Sequence, residues 1–189
     1  KVIGFSRWHS TTQDRQWTPK TARIFEVDLL DFVSVVRALK ECEPDVIFHL
    51  AAHANVAASF VTPNAVLSNN ILSTVNLLEA IRILDLDCAV QICSSSEVYG
   101  QVLPNEVPIK ETNQIRATSP YAVSKLAQDL LGLTYWRSYG MKIVRTRAFS
   151  YINPRRSDLF SSSFARQIAR IECGLQANLT HGNLDSVRS

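Results

Sequence analysis

Short runs rich in β-branched and aromatic residues alternate with longer amphipathic runs along the chain. This alternation is typical of a parallel β-sheet with helices packed against it. The runs that predict strands cover residues 1–6, 23–27, 45–51, 88–94 and 142–149. The third and fourth, DVIFHLA and CAVQICS, are almost entirely apolar, which predicts central strands buried on both faces. The pattern therefore predicts an α/β fold with helices on both sides of the sheet.

Helix-start residues precede the amphipathic runs between these strands. Asp31 predicts the cap of a helix that extends through Cys42, and Pro63, after Thr62, predicts the start of a second helix. Ser119 and Pro120 predict the start of a third helix, which Gly140 ends, and a fourth is expected from about Ser161. The third helix is predicted to bury an apolar stripe made of Val123, Leu126, Ala127, Leu130 and Leu131.

Composition excludes several function classes. The chain has 189 residues, enough for one sizeable core, and its net charge of +3 is spread along the sequence, which argues against a nucleic-acid or membrane-binding surface. No run of about 18 apolar residues predicts a membrane span. Four widely spaced cysteines fit reduced thiols in a cytoplasmic protein. His49 and His53 lack a nearby third ligand, so no metal site is predicted.

The segment SPYAVSK places Tyr121 and Lys125 four residues apart at the start of the third helix. Residues at this spacing lie on one face of a helix, so the ammonium can approach the phenol. A neighbouring cation favours the phenolate and lowers the phenol pKa, which would make the tyrosine a usable acid or base. The alternative is a pair of solvated surface residues.

Polar residues follow two of the predicted strands, at the edge of a parallel sheet where ligands bind. SSSEVYG follows the fourth strand with hydroxyls and the carboxylate of Glu97, which could assist proton transfer or could form an ordinary turn. Arg7 follows the first predicted strand and could bind the 2′-phosphate of NADP or remain solvated. No glycine-rich phosphate turn is present, so the chain either begins after that turn or does not bind a dinucleotide.

Taken together, seven ordered segments resemble the extended short-chain dehydrogenases/reductases, in particular their nucleotide-sugar dehydratases, epimerases and reductases. The segments are DLLD, DVIFHLAA, NNILSTVNLLEA, SSSEVYG, SPYAVSK, RTRAF and GNLDSVR. The resemblance implies a Rossmann-like, doubly wound parallel sheet that lacks its first strand and glycine-rich turn. It also implies an NADP-binding part over residues 1–152 and an incomplete nucleotide-sugar-binding part over residues 153–189.

The resemblance further implies a role for each matching residue. Tyr121 would be the acid/base at the 4-hydroxyl of the sugar, Lys125 would lower its pKa, and Ser95 would hydrogen-bond the same oxygen. Glu97 would act at C5. The implied cofactor-binding residues, besides Tyr121 and Lys125, are Arg7, Asp28, Leu29, Leu50, Ala51, Ala52 and Asn70. The implied substrate-binding residues are Ser96, Ser150, Arg155 and Arg188.

Within this family the chain most resembles the GDP-mannose 4,6-dehydratases, which use NADP, with NAD as the other possible cofactor. Ser96 before Glu97 favours them over the thymidine-diphosphate-glucose enzymes. GDP-4-keto-6-deoxymannose reductases are a close alternative, and 4-epimerases or a catalytically silent assembly subunit stay open. Relatives form dimers or tetramers through two long helices, which here would be residues 63–84 and 119–139.

Overall fold

The structure is a computed structural model that describes residues 1–8, 21–153, 156, 159–182 and 184. The chain folds into two compact units, residues 1–147 and residues 148–189. The predicted boundary between residues 152 and 153 lies slightly further along the chain, and the role assigned to each part stays a prediction.

All five predicted strands are present in the described chain. They are β1 (Ile3–Ser6), β2 (Arg23–Glu26), β3 (Val46–His49), β4 (Ala89–Ser95) and β5 (Lys142–Ala148). β1 and β2 form a parallel pair, while β3, β4 and β5 form a second sheet in that order, with β3 parallel to β4. The parallel α/β class is therefore confirmed.

The helices begin close to the predicted positions. They are α1 (Phe32–Cys42), α2 (Val56–Val61), α3 (Pro63–Ile83), α4 (Pro120–Tyr139) and α5 (Phe160–Glu172). The Asp31 carboxylate caps α1 by accepting from the Val33 amide, and Ser119 caps α4 in the same way. α2 was not predicted, because its six residues are too few to establish a helical period.

The core of the first unit lies between one face of the strands and the helices α1, α3 and α4. From the strands it includes Ile47, Val90, Ile92 and Ile143, and from the helices it includes Leu39, Leu78 and Ile81. Alternate residues of a strand point to opposite faces. On the other face Val46 is 53% exposed and Phe48 is 68% exposed, so the prediction that β3 is buried on both faces was wrong.

The buried face of α4 carries polar residues beside apolar ones, so the predicted apolar stripe is only partly buried. Leu131 packs against the core, whereas Val123 and Leu130 are each 46% exposed. Gln128 and Asp129 are fully buried. The prediction was incomplete because periodicity identifies an apolar stripe but not the neighbour that covers it. These buried polar groups have hydrogen-bond partners, which removes most of the cost of taking them out of water.

The second unit contains α5 and the segment that follows it. Gln167 of α5 accepts from the Thr180 amide at 2.8 Å and donates to the Thr180 carbonyl at 3.0 Å. The rings of Phe160 and Phe164 meet edge to face, with centroids 6.3 Å apart. These contacts fasten the chain after α5 to the helix within this unit.

Candidate functional site

The first turn of α4 holds Tyr121 and Lys125 in a largely buried environment. Ser119 Oγ accepts from the Ala122 amide at 3.0 Å, and Pro120 suits the first helical position because it has no N–H to leave unpaired. Tyr121 is 9% exposed and Lys125 is 3% exposed. The pair therefore does not lie on a solvated surface, and the surface alternative considered from the sequence is wrong.

Lys125 is an ammonium group in a low-dielectric position. Burial is the main reason that the pKa of Lys125 falls from its ordinary value to about 8, and the nearby Cys93 opposes this shift more weakly. The Lys125 Nζ donates to Gln128 Oε1 at 2.7 Å. An ammonium has three N–H donors, so within the described chain two donors remain for a ligand.

The carboxyl end of β4 is joined to this turn of α4. Ser94 Oγ donates to the Lys125 carbonyl oxygen at 3.1 Å, and Ser94 is 2% exposed. Ser95 follows, is 8% exposed, and its Oγ accepts from the Glu97 amide at 3.2 Å. The structure thus connects the segment bearing Ser95, Ser96 and Glu97 to the helical turn bearing Tyr121 and Lys125.

A single 3₁₀ turn, Ser96–Tyr99, carries Glu97 and is held at its far end. Arg147 of β5 donates to Tyr99 Oη at 2.8 Å and to Asp129 Oδ2 at 2.9 Å. Gly100 ends the turn with a φ of 57°, and a Cβ there would lie 1.8 Å from the Arg116 carbonyl oxygen. Glycine is therefore required at this position, because backbone from the following loop occupies the space a side chain would need.

Asn70 of α3 fastens the loop after β3 to α4. Its Oδ1 accepts from the His53 amide at 2.7 Å and from Asn69 at 3.1 Å. Its Nδ2 donates to the His53 carbonyl at 3.2 Å and to Ser124 Oγ at 2.8 Å. These four bonds fill the capacity of the amide. Asn70 therefore holds the loop after β3 against α4, and its implied role in cofactor binding stays a prediction.

The other residues implied for cofactor binding follow β1, β2 and β3. Arg7 is exposed directly after β1, and Asp28 follows the neighbouring β2, where its Oδ1 accepts from the Leu30 amide at 2.9 Å. The Leu29 carbonyl accepts from Asn76 of α3 at 2.8 Å. Leu50 and Ala51 are exposed after β3, and Ala52 is half-buried.

Three of the residues implied for substrate binding lie outside the first compact unit, which contains the residues described above. Ser150 is exposed and belongs to the second unit, whereas Ser96 belongs to the first. Arg155 and Arg188 lie outside the described residues. Their roles stay predictions.

Three buried polar residues beside Lys125 were not predicted from the sequence as parts of a site. They are His49, Thr74 and Gln128. Of these three, only His49 was considered from the sequence, as a possible metal ligand. In the structure its Nε2 lies 2.8 Å from Thr74 Oγ1. Burial, and to a lesser extent Lys125, lowers the pKa of His49 to about 4, so its imidazole is neutral. Within the described ranges, no group of three metal-ligating side chains is present and no helix is long and apolar enough to cross a membrane.

The described donors fit a dinucleotide. Lys125 offers N–H donors to ribose hydroxyls, and Arg7 offers a guanidinium that suits a phosphate. Tyr121 and Ser95 bring two further hydroxyls to the same turn and strand end. The chemistry of these groups is compatible with a ribose, a phosphate and a sugar oxygen, and which of them contact a ligand stays a prediction.

Comparison with known proteins identifies close relatives. The family model described as GDP-mannose 4,6 dehydratase matches residues 2–189. GDP-mannose 4,6-dehydratase of Yersinia enterocolitica is 38% identical over 164 residues, covering 85% of this chain and 44% of that protein. GDP-6-deoxy-D-mannose reductase of Pseudomonas aeruginosa is 40% identical over 147 residues, covering 77% of this chain and 48% of that protein.

A solved structure is also similar to this chain. The structure of RMD from Pseudomonas aeruginosa complexed with NADPH superposes with a TM-score of 0.79 at 36% identity. The match covers 87% of this chain and 56% of that one. The chain spans less than half of the length of the two curated relatives it matches.

Proposed function

Since the chain belongs to the GDP-mannose 4,6 dehydratase family, we propose that its protein converts GDP-mannose to GDP-4-keto-6-deoxymannose and water with NADP as cofactor. The observation that carries this proposal is the bond from Ser94 Oγ to the Lys125 carbonyl. That bond joins the Ser95–Glu97 segment to the buried Tyr121 and Lys125. The residues that we propose as the bases at C4 and at C5 therefore lie on connected elements.

In the proposed reaction, a nicotinamide held beside Tyr121 and Lys125 would supply the hydride acceptor that oxidation at C4 requires and the hydride donor that reduction at C6 requires. Tyr121 takes the proton of the 4-hydroxyl, and the Lys125 ammonium favours the phenolate that this requires. Ser95 donates a hydrogen bond to the sugar O4. The resulting 4-ketone acidifies the C5 hydrogen, so Glu97 can remove it as a proton and pass that proton to the departing C6 hydroxyl, which leaves as water. C5 then regains one proton, which balances the proton that Tyr121 took from the 4-hydroxyl.

Incubation of the full-length protein with GDP-mannose and NADP, with no added reductant, tests this proposal. We expect a 4-keto-6-deoxy product, and we expect Glu97→Gln to lower the rate of its formation by about 10²- to 10⁴-fold, the usual contribution of an acid or base. The matched control is Glu111→Gln, an exposed glutamate in the loop before α4, which should retain the wild-type rate. Full activity in Glu97→Gln would exclude Glu97 as the C5 base.

The second candidate function is reduction of GDP-4-keto-6-deoxymannose. It is favoured by the 40% identity to the Pseudomonas aeruginosa reductase. A reductase needs no base at C5, so its activity would not depend on Glu97. Turnover of the keto sugar with NADPH, combined with no product from GDP-mannose, would identify this function.

The proposal extends to the organisation and location of the whole protein. We assign cofactor binding to residues 1–152 and nucleotide-sugar binding to residues 153–189. We also propose that the full-length protein is a homodimer or homotetramer and that it is located in the cytoplasm. The free cysteines of the described chain, Cys42, Cys88, Cys93 and Cys173, support a reducing compartment. Fractionation of cells that express the tagged full-length protein tests the location, and recovery in a secreted or membrane fraction would refute it.

A further inference from the structure

Four buried polar side chains from three elements form a hydrogen-bonded chain that ends at Lys125. His49 belongs to β3, Thr74 to α3, and Gln128 and Lys125 to α4. Each is at most 3% exposed. Gln128 Nε2 donates to Thr74 Oγ1 at 2.7 Å, and Gln128 Oε1 accepts from Lys125 Nζ at 2.7 Å.

The orientation of Gln128 follows from the ammonium, which can only donate, so the amide oxygen faces Lys125 and the NH₂ group faces the other way. Gln128 Nε2 lies 2.7 Å from Thr74 Oγ1 and 3.3 Å from His49 Nε2. Thr74 Oγ1 also lies 2.9 Å from the Asn70 carbonyl, and the donor in its contact with His49 depends on the histidine tautomer.

We propose that Gln128 is a positioning residue that holds the Lys125 ammonium in the orientation needed beside Tyr121. It accepts one of the three ammonium donors and leaves the other two for a ligand. Its link to the reaction rests on the proposed function, whereas its effect on Lys125 does not.

The charges around Lys125 explain why a neutral acceptor suits this position. The titratable groups that interact with it are His49 of β3 and Cys93 of β4, and His49 is neutral because its pKa falls to about 4. A carboxylate in place of Gln128 would pair with the ammonium and cancel its field at Tyr121. A glutamine fixes the ammonium while leaving its positive charge uncompensated.

The experiment is a nuclear magnetic resonance titration of the full-length protein with lysines labelled at Cε, without substrate or cofactor. Lys125→Met identifies the resonance of Lys125 by its disappearance. We expect Gln128→Glu to raise the pKa of Lys125 by about 1 to 3, because an opposite charge in contact favours the ammonium. We expect Gln128→Met to lower the pKa of Lys125 by about 1, because the ammonium loses one hydrogen bond, and the free energy of such a bond is similar to that of a pKa change of this size.

The matched control is Gln91→Met, the same exchange at a half-buried glutamine of β4 that donates to Thr146 on β5. It should leave the pKa of Lys125 unchanged. Opposite shifts in the two Gln128 variants support the proposal, whereas no shift, or shifts of the same sign, would overturn it. Should Gln128→Met fail to fold, the sign of the shift in Gln128→Glu decides alone. The titration needs no turnover, so it can succeed even where the dehydration assay fails.

Discussion

At the scale of single residues, the site depends on ionisable groups that are buried rather than exposed. Burial lowers the pKa of Lys125 to about 8 and the pKa of His49 to about 4. Both shifts have the sign expected when a cationic form is taken out of water. The histidine is therefore neutral, and the lysine is the cation that the proposed mechanism uses beside Tyr121.

His49 makes the stability of the fold depend on pH. Its folded pKa is depressed, so its contribution is complete above the ordinary value of 6.5 and is lost as the pH falls toward about 4. We expect the free energy of unfolding to fall by up to about 3 kcal/mol more in the wild type than in His49→Gln across this range. Urea denaturation of both proteins over that range checks this. Equal losses in the two proteins would show that His49 is not buried as a neutral base.

At the scale of elements, helix α4 buries several polar residues and leaves part of its predicted apolar stripe exposed. Val123 and Leu130 are seven residues apart and lie on one stripe of the helix, each nearly half exposed. Leu72 of the adjacent α3 is 50% exposed. Apolar positions of this kind fit the oligomer contact predicted for these two helices.

The apolar stripe leads to a prediction about subunit association. Val123→Glu combined with Leu130→Glu should shift the full-length protein to monomer in sedimentation equilibrium, because buried carboxylates without partners are unfavourable. Val61→Glu, at an 81% exposed position that ends α2, is the matched control and should leave the mass unchanged. An unchanged mass in the double variant would place the contact elsewhere.

The success of sequence reasoning also differs between elements. The strands and the starts of α1, α3 and α4 were predicted because apolar runs and caps are local signals. The hydrogen bonds from Gln128 to Thr74 and from the His53 amide to Asn70 were not, because they join residues far apart in sequence. For the same reason the sequence showed that Tyr121 and Lys125 share a helix face, but not that this face is buried.

At the scale of the whole molecule, two sheets contribute residues to the proposed cofactor site. β1 and β2 precede Arg7 and Asp28, while β3 and β4 precede Ala51 and Ser95. All of these lie in the first compact unit, residues 1–147. The polar network around Lys125 belongs to this unit alone, so its positioning of the ammonium does not require the second unit.

The most direct test of the proposed function uses GDP-mannose that carries deuterium at C4, with the full-length protein and unlabelled NADP. Mass spectrometry of the product locates the label. A 4,6-dehydration in which the hydride removed from C4 returns within the same site predicts deuterium at C6 of the 4-keto-6-deoxy product. A product without deuterium, or a hexose altered only at C4, would contradict the account.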